Sequence, residues 1–289
     1  MDTEKCAALL CVLESGSLSA AAERLGYTPS GMSRMIAAME AEAGFPLLVR
    51  SRAGVVPTAE CEALLPKLRE LARIGGLYEA QTASLRGLET GEVRVGSAYG
   101  AYYDWLAGTI TQFSARFPGV EVRFLMGSSS EFYELLAAHK LDFCIVSRRE
   151  SDAEFLPLLR DPLVAWLPAA HPCAAEMAYP LARFEQDAYI DTYPDQETDN
   201  ARAFRACGLS PRAKYRSIDI NATRALVAAG LGVSLCNRIL CSGLDLSGIA
   251  VLPTEPLCEL EIGVAVPAKG ERSPAGERFY QFAKQRLPR

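Results

Sequence analysis

Two amphipathic helices separated by a two-residue break constrain the first sixty residues more than anything else in the chain. In SLSAAAERLGYTPSGMSRMIAAMEAEA, residues 17–43, Leu18, Ala21, Ala22 and Leu25 recur at i, i+3, i+4 and i+7. Met32, Met35, Ile36 and Met39 repeat the pattern after Gly26-Tyr27, so each helix carries one apolar face. Ser17 can cap the first helix, Thr28 or Ser30 the second, with Pro29 near its first turn. A short helix, a tight turn containing glycine and a second helix with a polar N-terminal half describe a helix-turn-helix, whose second helix enters the DNA major groove. Ser30, Gly31, Ser33 and Arg34 are expected to point outward. Small side chains let a helix lie close to DNA, serine can bond a phosphate or a base, and Arg34 can reach a guanine edge or a phosphate. The same spacing also describes an ordinary surface helix, because periodicity does not see a groove.

Leu47 to Thr58 reads as two short strands around Ser51-Arg52-Ala53-Gly54, a wing on which Arg50 and Arg52 would flank the groove and touch phosphates. From Thr58 to about Leu88, Leu64, Leu68, Leu71, Tyr78 and Leu85 keep near-heptad spacing, which predicts a long helix with an apolar seam. Gly75-Gly76 weakens that helix and is expected to bend it. An unpartnered seam wants either a second helix or its own domain.

The run AAERLGYTPSGMSRMIAAMEAEAGFPLLVRSRAGVVPTAE resembles the N-terminal winged helix-turn-helix of LysR-type transcriptional regulators. It follows that pattern through Ala21-Ala22, Leu25, Ser33-Arg34, Ile36, Glu40, Gly44, Leu47, Arg50, Gly54 and Thr58. It departs from it at Pro29, where the family often has Gln, and at Met39, Leu48, Pro57 and Cys61. The missing Gln removes one base-reading side chain, so no operator sequence carries over. The resemblance implies DNA contacts from Ser17, Thr28, Ser30, Gly31, Ser33, Arg34, Arg50 and Arg52. It also implies a linker helix that pairs two subunits on a dyad-related double-stranded operator, and a tetramer built as a pair of dimers.

Net charge is −5, and residues 1–58 hold five Lys/Arg against six Asp/Glu, so composition alone does not announce a polyanion partner. No apolar run reaches the length of a membrane span, and Asp2, Glu4 and Lys5 do not open a secretion signal, which predicts a cytoplasmic protein without membrane contact. The nine cysteines form no CxxC pair and no histidine stands at zinc-ligand spacing, so neither a metal nor another cofactor is expected. Redox-sensing members of the resembled family use two cysteines close together in the middle of the second lobe, where this chain offers Cys207 alone.

After Thr90-Gly91 the period changes. Strands at 92–99, 120–126 and 141–146 alternate with helices at 102–117 and 130–139, and a second alternating set runs from 163 to 236 before a last strand at 259–266 and a helix at 273–286. Such alternation predicts parallel, doubly wound α/β units. The expected fold class is α/β with an N-terminal all-α winged helix-turn-helix and an effector domain of two doubly wound lobes, like periplasmic binding proteins. The domains are then 1–58, a linker helix at 59–90 and an effector domain at 91–289, with lobe I at 91–163 and 267–289 and lobe II at 164–266. The resemblance puts the lobe crossings near 163–168 and 262–267.

Ligands in open α/β sheets gather outside the carboxyl ends of strands. Ser97 and Tyr99 end the first strand, Ser128, Ser129 and Ser130 precede a helix whose free N–H groups favour an anion, and Thr192 ends a strand of the second lobe. Tyr102 and Tyr103 would add an aromatic wall. For the serines the competing role is N-capping, for the tyrosines core packing. The serine cluster suits a small-molecule effector bearing a carboxylate. No nucleophile elbow, HExxH or phosphate loop accompanies His139 and His171, so no enzyme is indicated. A cytosolic solute-binding protein is the better rival, but it leaves the first ninety residues unexplained.

Overall fold

The structure, a computed structural model, describes residues 2–51, 54–85, 90–194 and 196–288, and the chain divides into two units, Met1–Leu88 and Glu89–Arg289. In the first unit α1 (Thr3–Ser15), α2 (Leu18–Arg24) and α3 (Pro29–Ala43) each start on a side-chain cap. Asp2 accepts from Lys5 N at 2.9 Å, Ser17 from Ala20 N at 3.3 Å and Thr28 from Gly31 N at 3.1 Å. Cys6, Leu9, Val12, Ala21, Ala22, Met32, Ile36 and Met39 meet in one core. Leu25 departs from its expected place and is 39% exposed, because α2 ends at Arg24 and the i+7 position falls beyond the last turn.

Gly44 ends α3 in the left-handed conformation, φ 82°. The Glu40 carboxylate accepts from Leu47 N at 2.8 Å and Leu48 N at 3.2 Å, which ties α3 to β1 (Leu48–Ser51). β1 pairs antiparallel with β2 (Gly54–Pro57), with Ser51 opposite Gly54. Arg52 and Ala53 lie outside the described residues. α4 (Ala59–Leu85) runs unbroken through Pro66 and Gly75-Gly76. The expected weak point has a packing role instead: a Cβ on Gly75 would stand 2.6 Å from the Cβ of Thr3, so glycine lets α1 approach. Cys61 and Leu68 belong to the helix-turn-helix core, so the first half of α4 is part of that unit rather than a separate linker.

In the second unit β3 (Gly91–Ser97), α5 (Tyr103–Arg116), β4 (Val120–Met126), α6 (Ser129–Ala137) and β5 (Phe143–Ser147) alternate. β6 (Glu154–Pro168), β7 (Tyr179–Pro180), β8 (Tyr189–Thr192), α7 (Asp199–Ala206), β9 (Ala213–Ser217), α8 (Ile220–Ala228) and β10 (Ser234–Asn237) follow. β11 (Ile249–Glu255), β12 (Glu259–Val266) and α9 (Pro274–Lys284) complete it. β4, β3 and β5 are parallel neighbours, and β12 lies between β5 and β6, antiparallel to both. β6 serves two lobes: Glu154–Pro162 pairs with β12, whereas Leu163–Pro168 pairs with β10 and β11.

The expected lobe limits shift accordingly. The strand expected to close lobe II, β12, belongs to lobe I: Ile262, Val264 and Val266 fill that core, so the second crossing precedes β12 instead of lying at 262–267. The sheet is also mixed, because the chain passes between the lobes in both directions and its crossing strands oppose their neighbours. β11 and the first half of β6 carry Pro157, Pro162 and Pro253, which break the apolar pattern that marks a strand.

Both faces of each lobe are covered, as double winding requires. In lobe I, α5 and α9 bring Phe113 and Phe279 together at 5.0 Å between ring centroids, and α6 packs Phe132 and Leu136 on the opposite face. In lobe II, Tyr179, Phe184, Tyr189 and Phe204 stack edge to face, with Trp166, Ile190 and Val227 behind them. A fully buried aromatic contributes about 1.5–3 kcal/mol, several times an exposed ion pair. The cores therefore hold the lobes.

Candidate functional site

The outer face of α3 presents Ser30 and Arg34 to solvent, with Gly31 and Ser33 half-buried beside them. The Thr28 hydroxyl is engaged as the helix cap and stands 3.2 Å from the Ser30 hydroxyl. Ser17 is likewise engaged by α2. Arg50, on β1, is exposed. Among the described residues the ion pairs of this unit are Lys5–Asp2, Arg24–Glu14 and Arg73–Glu70, so Arg34 and Arg50 have no carboxylate partner, nor do Lys67 and Arg69 on α4. Two unpaired guanidinium groups on and beside a capped, close-approach helix can neutralise phosphates or read guanine. Of the eight residues expected to touch DNA, Ser17 and Thr28 shape the helices, Ser30 and Arg34 are exposed on α3 with Gly31 and Ser33 half-buried beside them, Arg50 is exposed on β1, and Arg52 lies outside the described residues.

In the second unit a cavity of about 80 Å³ lies between the lobes, lined among others by Tyr99, Ser128, Ser129, Arg149, Thr192 and Asp199. Its charged centre is the pair Arg149–Asp199, 2.6 Å apart, with side chains 11% and 8% exposed. Asp199 opens α7 in lobe II and takes further bonds from Ser147 Oγ at 2.8 Å, Asn237 Nδ2 at 3.1 Å and the Tyr99 hydroxyl at 3.3 Å. Burial pushes the Tyr99 phenol far above its ordinary pKa, and the Asp199 charge adds to that, so the hydroxyl stays a donor. The segment before α7 closes the same side: Ser130 Oγ donates to Glu197 O at 2.7 Å and Gln196 Nε2 to Glu131 at 3.2 Å.

Of the residues expected at this site, Tyr99, Ser128, Ser129 and Thr192 do line the cavity. Ser128 is occupied by a capping box with Glu131, Ser129 accepts from Ser147 N at 3.1 Å, and Thr192 bonds the Thr223 hydroxyl at 2.8 Å. Ser97 and Tyr102 are not among the lining residues. Ser97 is fully buried, exchanging bonds with the Tyr99 backbone in a tight local turn, and Tyr102 packs into the core of lobe I. Sequence reading missed Ser147, Arg149, Asp199, Asn200 and Asn237. Ser147 and Asn237 end apolar strands, as the carboxyl-end rule asks, whereas nothing local marked Asp199.

Two family models match the chain: the LysR substrate binding domain over residues 86–288 and the bacterial regulatory helix-turn-helix protein, lysR family, over residues 3–62. The chain belongs to the LysR family. It is a DNA-binding transcription regulator with an effector-binding domain, and its relatives are regulators rather than enzymes. The uncharacterized HTH-type transcriptional regulator YvbU of Bacillus subtilis is 25% identical over 276 residues, covering 95% of this chain and 94% of that one. Full-length OxyR from Pseudomonas aeruginosa shares the fold with a TM-score of 0.72 at 18% identity, over 99% of this chain and 94% of that one. Full-length CbnR, solved in complex with its target DNA, shares it with a TM-score of 0.59 at 20% identity, over 99% and 100% of the two chains.

In this LysR-family chain the cysteines are less isolated than their spacing suggested. Cys241 hydrogen-bonds with Cys236 on β10, and Cys258 lies beside Cys207. The Cys236 bond, aided by Trp166 Nε1 at 3.4 Å, lowers the Cys241 thiol to about 7. Among the described residues no cluster of His, Cys, Asp and Glu could hold a metal ion, and no helix is long and apolar enough to cross a membrane.

Proposed function

We propose that this regulator reads a dyad-related operator through Ser30, Gly31, Ser33 and Arg34 on α3, with Arg50 and Arg52 on phosphates. The observation that carries the reading is the exposure of Arg34 on α3 and Arg50 on β1, neither of which has a carboxylate partner among the described residues. CbnR bound to its target DNA supports the same use of the fold. Two subunits pair through α4, where Leu71, Ile74, Tyr78 and Leu85 are 44%, 50%, 72% and 80% exposed at heptad-like spacing. Two such dimers form the working tetramer, in the cytoplasm, where the chain meets its operator. The effector is a small carboxylate held in the cleft, and its binding changes lobe closure and so the spacing of the DNA-binding heads.

The test is salt-dependent binding of the purified chain to DNA from immediately upstream of its own gene. Specific binding that weakens steeply with salt and is lost in Arg34→Ala supports the reading. Binding of Arg34→Ala as tight as the parent's would show that α3 does not read the operator. Light scattering of Tyr78→Glu is expected to give monomers; an unchanged mass would remove α4 as the pairing surface.

A further inference from the structure

Asp199 holds a position that a ligand would be expected to hold. Its carboxylate collects donors from both lobes: Ser147, Arg149 and Tyr99 from lobe I, Asn237 from lobe II. A guanidinium, two hydroxyls and an amide converging on two oxygens form a carboxylate receptor, whether or not the carboxylate is tethered. A second cation on the same helix is already within ion-pair reach of it and also donates to Arg148 O at 3.1 Å. Arg202 Nη1 stands 3.6 Å from Asp199 Oδ1, one turn along α7, with its side chain 40% exposed.

We propose that Asp199 is a built-in occupant of the cleft's carboxylate receptor, and that a small carboxylate enters by taking Arg149 from it while Asp199 turns to Arg202. The proposal rests on reading the cleft as the effector site. Neither member of a buried ion pair tolerates isolation. The exchange leaves neither alone: the incoming carboxylate pairs with Arg149, and Arg202 pairs with Asp199. A neutral molecule at the same place would strand Arg149, so the exchange selects anions. It also explains how occupancy is felt, since Asp199 on lobe II releases Ser147, Arg149 and Tyr99 on lobe I as it turns.

The rest of the cavity narrows the ligand further. Asn200 is 7% exposed, lines the cavity and has a carbonyl oxygen with no hydrogen-bond partner; the Gln196 carbonyl oxygen, also in the lining, is in the same state. Buried acceptors without donors are costly, and a ligand N–H or O–H would satisfy them. The ligand class is thus a short carboxylate that also carries a hydroxyl or an ammonium group.

Asp199→Ala in the full-length chain empties the receptor, and sodium acetate should refill it. Thermal unfolding is followed by the fluorescence of Trp105 and Trp166, one in each lobe, with sodium chloride at matched ionic strength as reference. Acetate is expected to raise the melting temperature of Asp199→Ala saturably, to leave Arg149→Met/Asp199→Ala unmoved, and to act on the parent at concentrations on the order of tenfold higher, because the resident carboxylate reduces the competent fraction. Equal acetate response in parent and variant, or none in the variant, overturns the proposal. If Asp199→Ala does not fold, Asp199→Asn, which keeps the side chain's volume and loses its charge, is read in the same way. Saturable acetate binding that leaves the variant's complex with its upstream DNA unchanged would overturn the effector reading of the cleft while the receptor itself stands.

Discussion

Arg34 and Arg149 are the same side chain in opposite surroundings. Arg34 stands in solvent on α3 with no carboxylate beside it among the described residues. Arg149 is almost covered, 2.6 Å from Asp199 and bonded also to Glu197 O at 3.3 Å. An exposed cation is hydrated while it waits, so a surface that meets DNA from outside can keep its charges unpaired. A buried cation has no water to fall back on, and the chain supplies its partner until something else does. On the two proposals above, the DNA face is poised by exposure and the cleft by internal substitution.

The strongest test of that contrast is stability. Arg149→Met should cost the second unit about 3 kcal/mol in urea unfolding followed by tryptophan fluorescence, the lower end for a broken buried pair, because Asp199 keeps only its neutral donors and the half-exposed Arg202, 3.6 Å away. Arg149→Met/Asp199→Asn should recover most of the loss; equal losses would mean that the pair is not coupled. Next comes Arg34→Ala, expected to weaken operator binding by about 1–3 kcal/mol in fluorescence anisotropy, with stability within about 0.5 kcal/mol of the parent. A clear loss of stability would make Arg34 structural and erase the contrast.

A smaller effect concerns Asp161, buried in β6 where the lobes join, with its carboxylate accepting from Ile239 N at 3.1 Å. Burial raises its pKa above the ordinary carboxylate value, the Ile239 bond only partly opposing that. Above the unfolded value of about 3.9 the folded state thus keeps a proton that the unfolded state has lost, and stability falls as pH rises through the raised value. Asp161→Asn lacks this term, so urea unfolding should show its stability gaining on the parent's as pH rises from 4; parallel profiles would exclude the group. The mildest probe is iodoacetamide labelling read by mass spectrometry. Cys241, lowered to about 7, should react before Cys236, whose thiol burial raises well above its ordinary value. Faster labelling of Cys236 would contradict that order.

The DNA-binding unit was largely legible because its determinants are local. Apolar spacing set α2 and α3, Ser17 and Thr28 capped them, and Gly44 ended α3, each acting within a turn of helix. Even the residues shared with the family pattern have local or near-local duties, Glu40 holding the start of β1 and Thr58 capping α4. The cleft was half legible: strand ends pointed to Tyr99, Ser128, Ser129 and Thr192. They also suggested Ser97, whose hydroxyl is consumed by its own turn, and Tyr102, whose ring the core of lobe I absorbs.

By itself the sequence determined the family, the helix-turn-helix and the alternation that builds two lobes, since periodicity, caps and turns are written within a few residues of where they act. Only the tertiary structure decided which lobe owns β12, why Gly75 is glycine, and that Asp199 reaches Arg149 fifty residues away. Those outcomes depend on which buried surfaces meet. A buried charge finds its partner by proximity in the fold, and proximity between distant positions leaves no periodic trace along the chain.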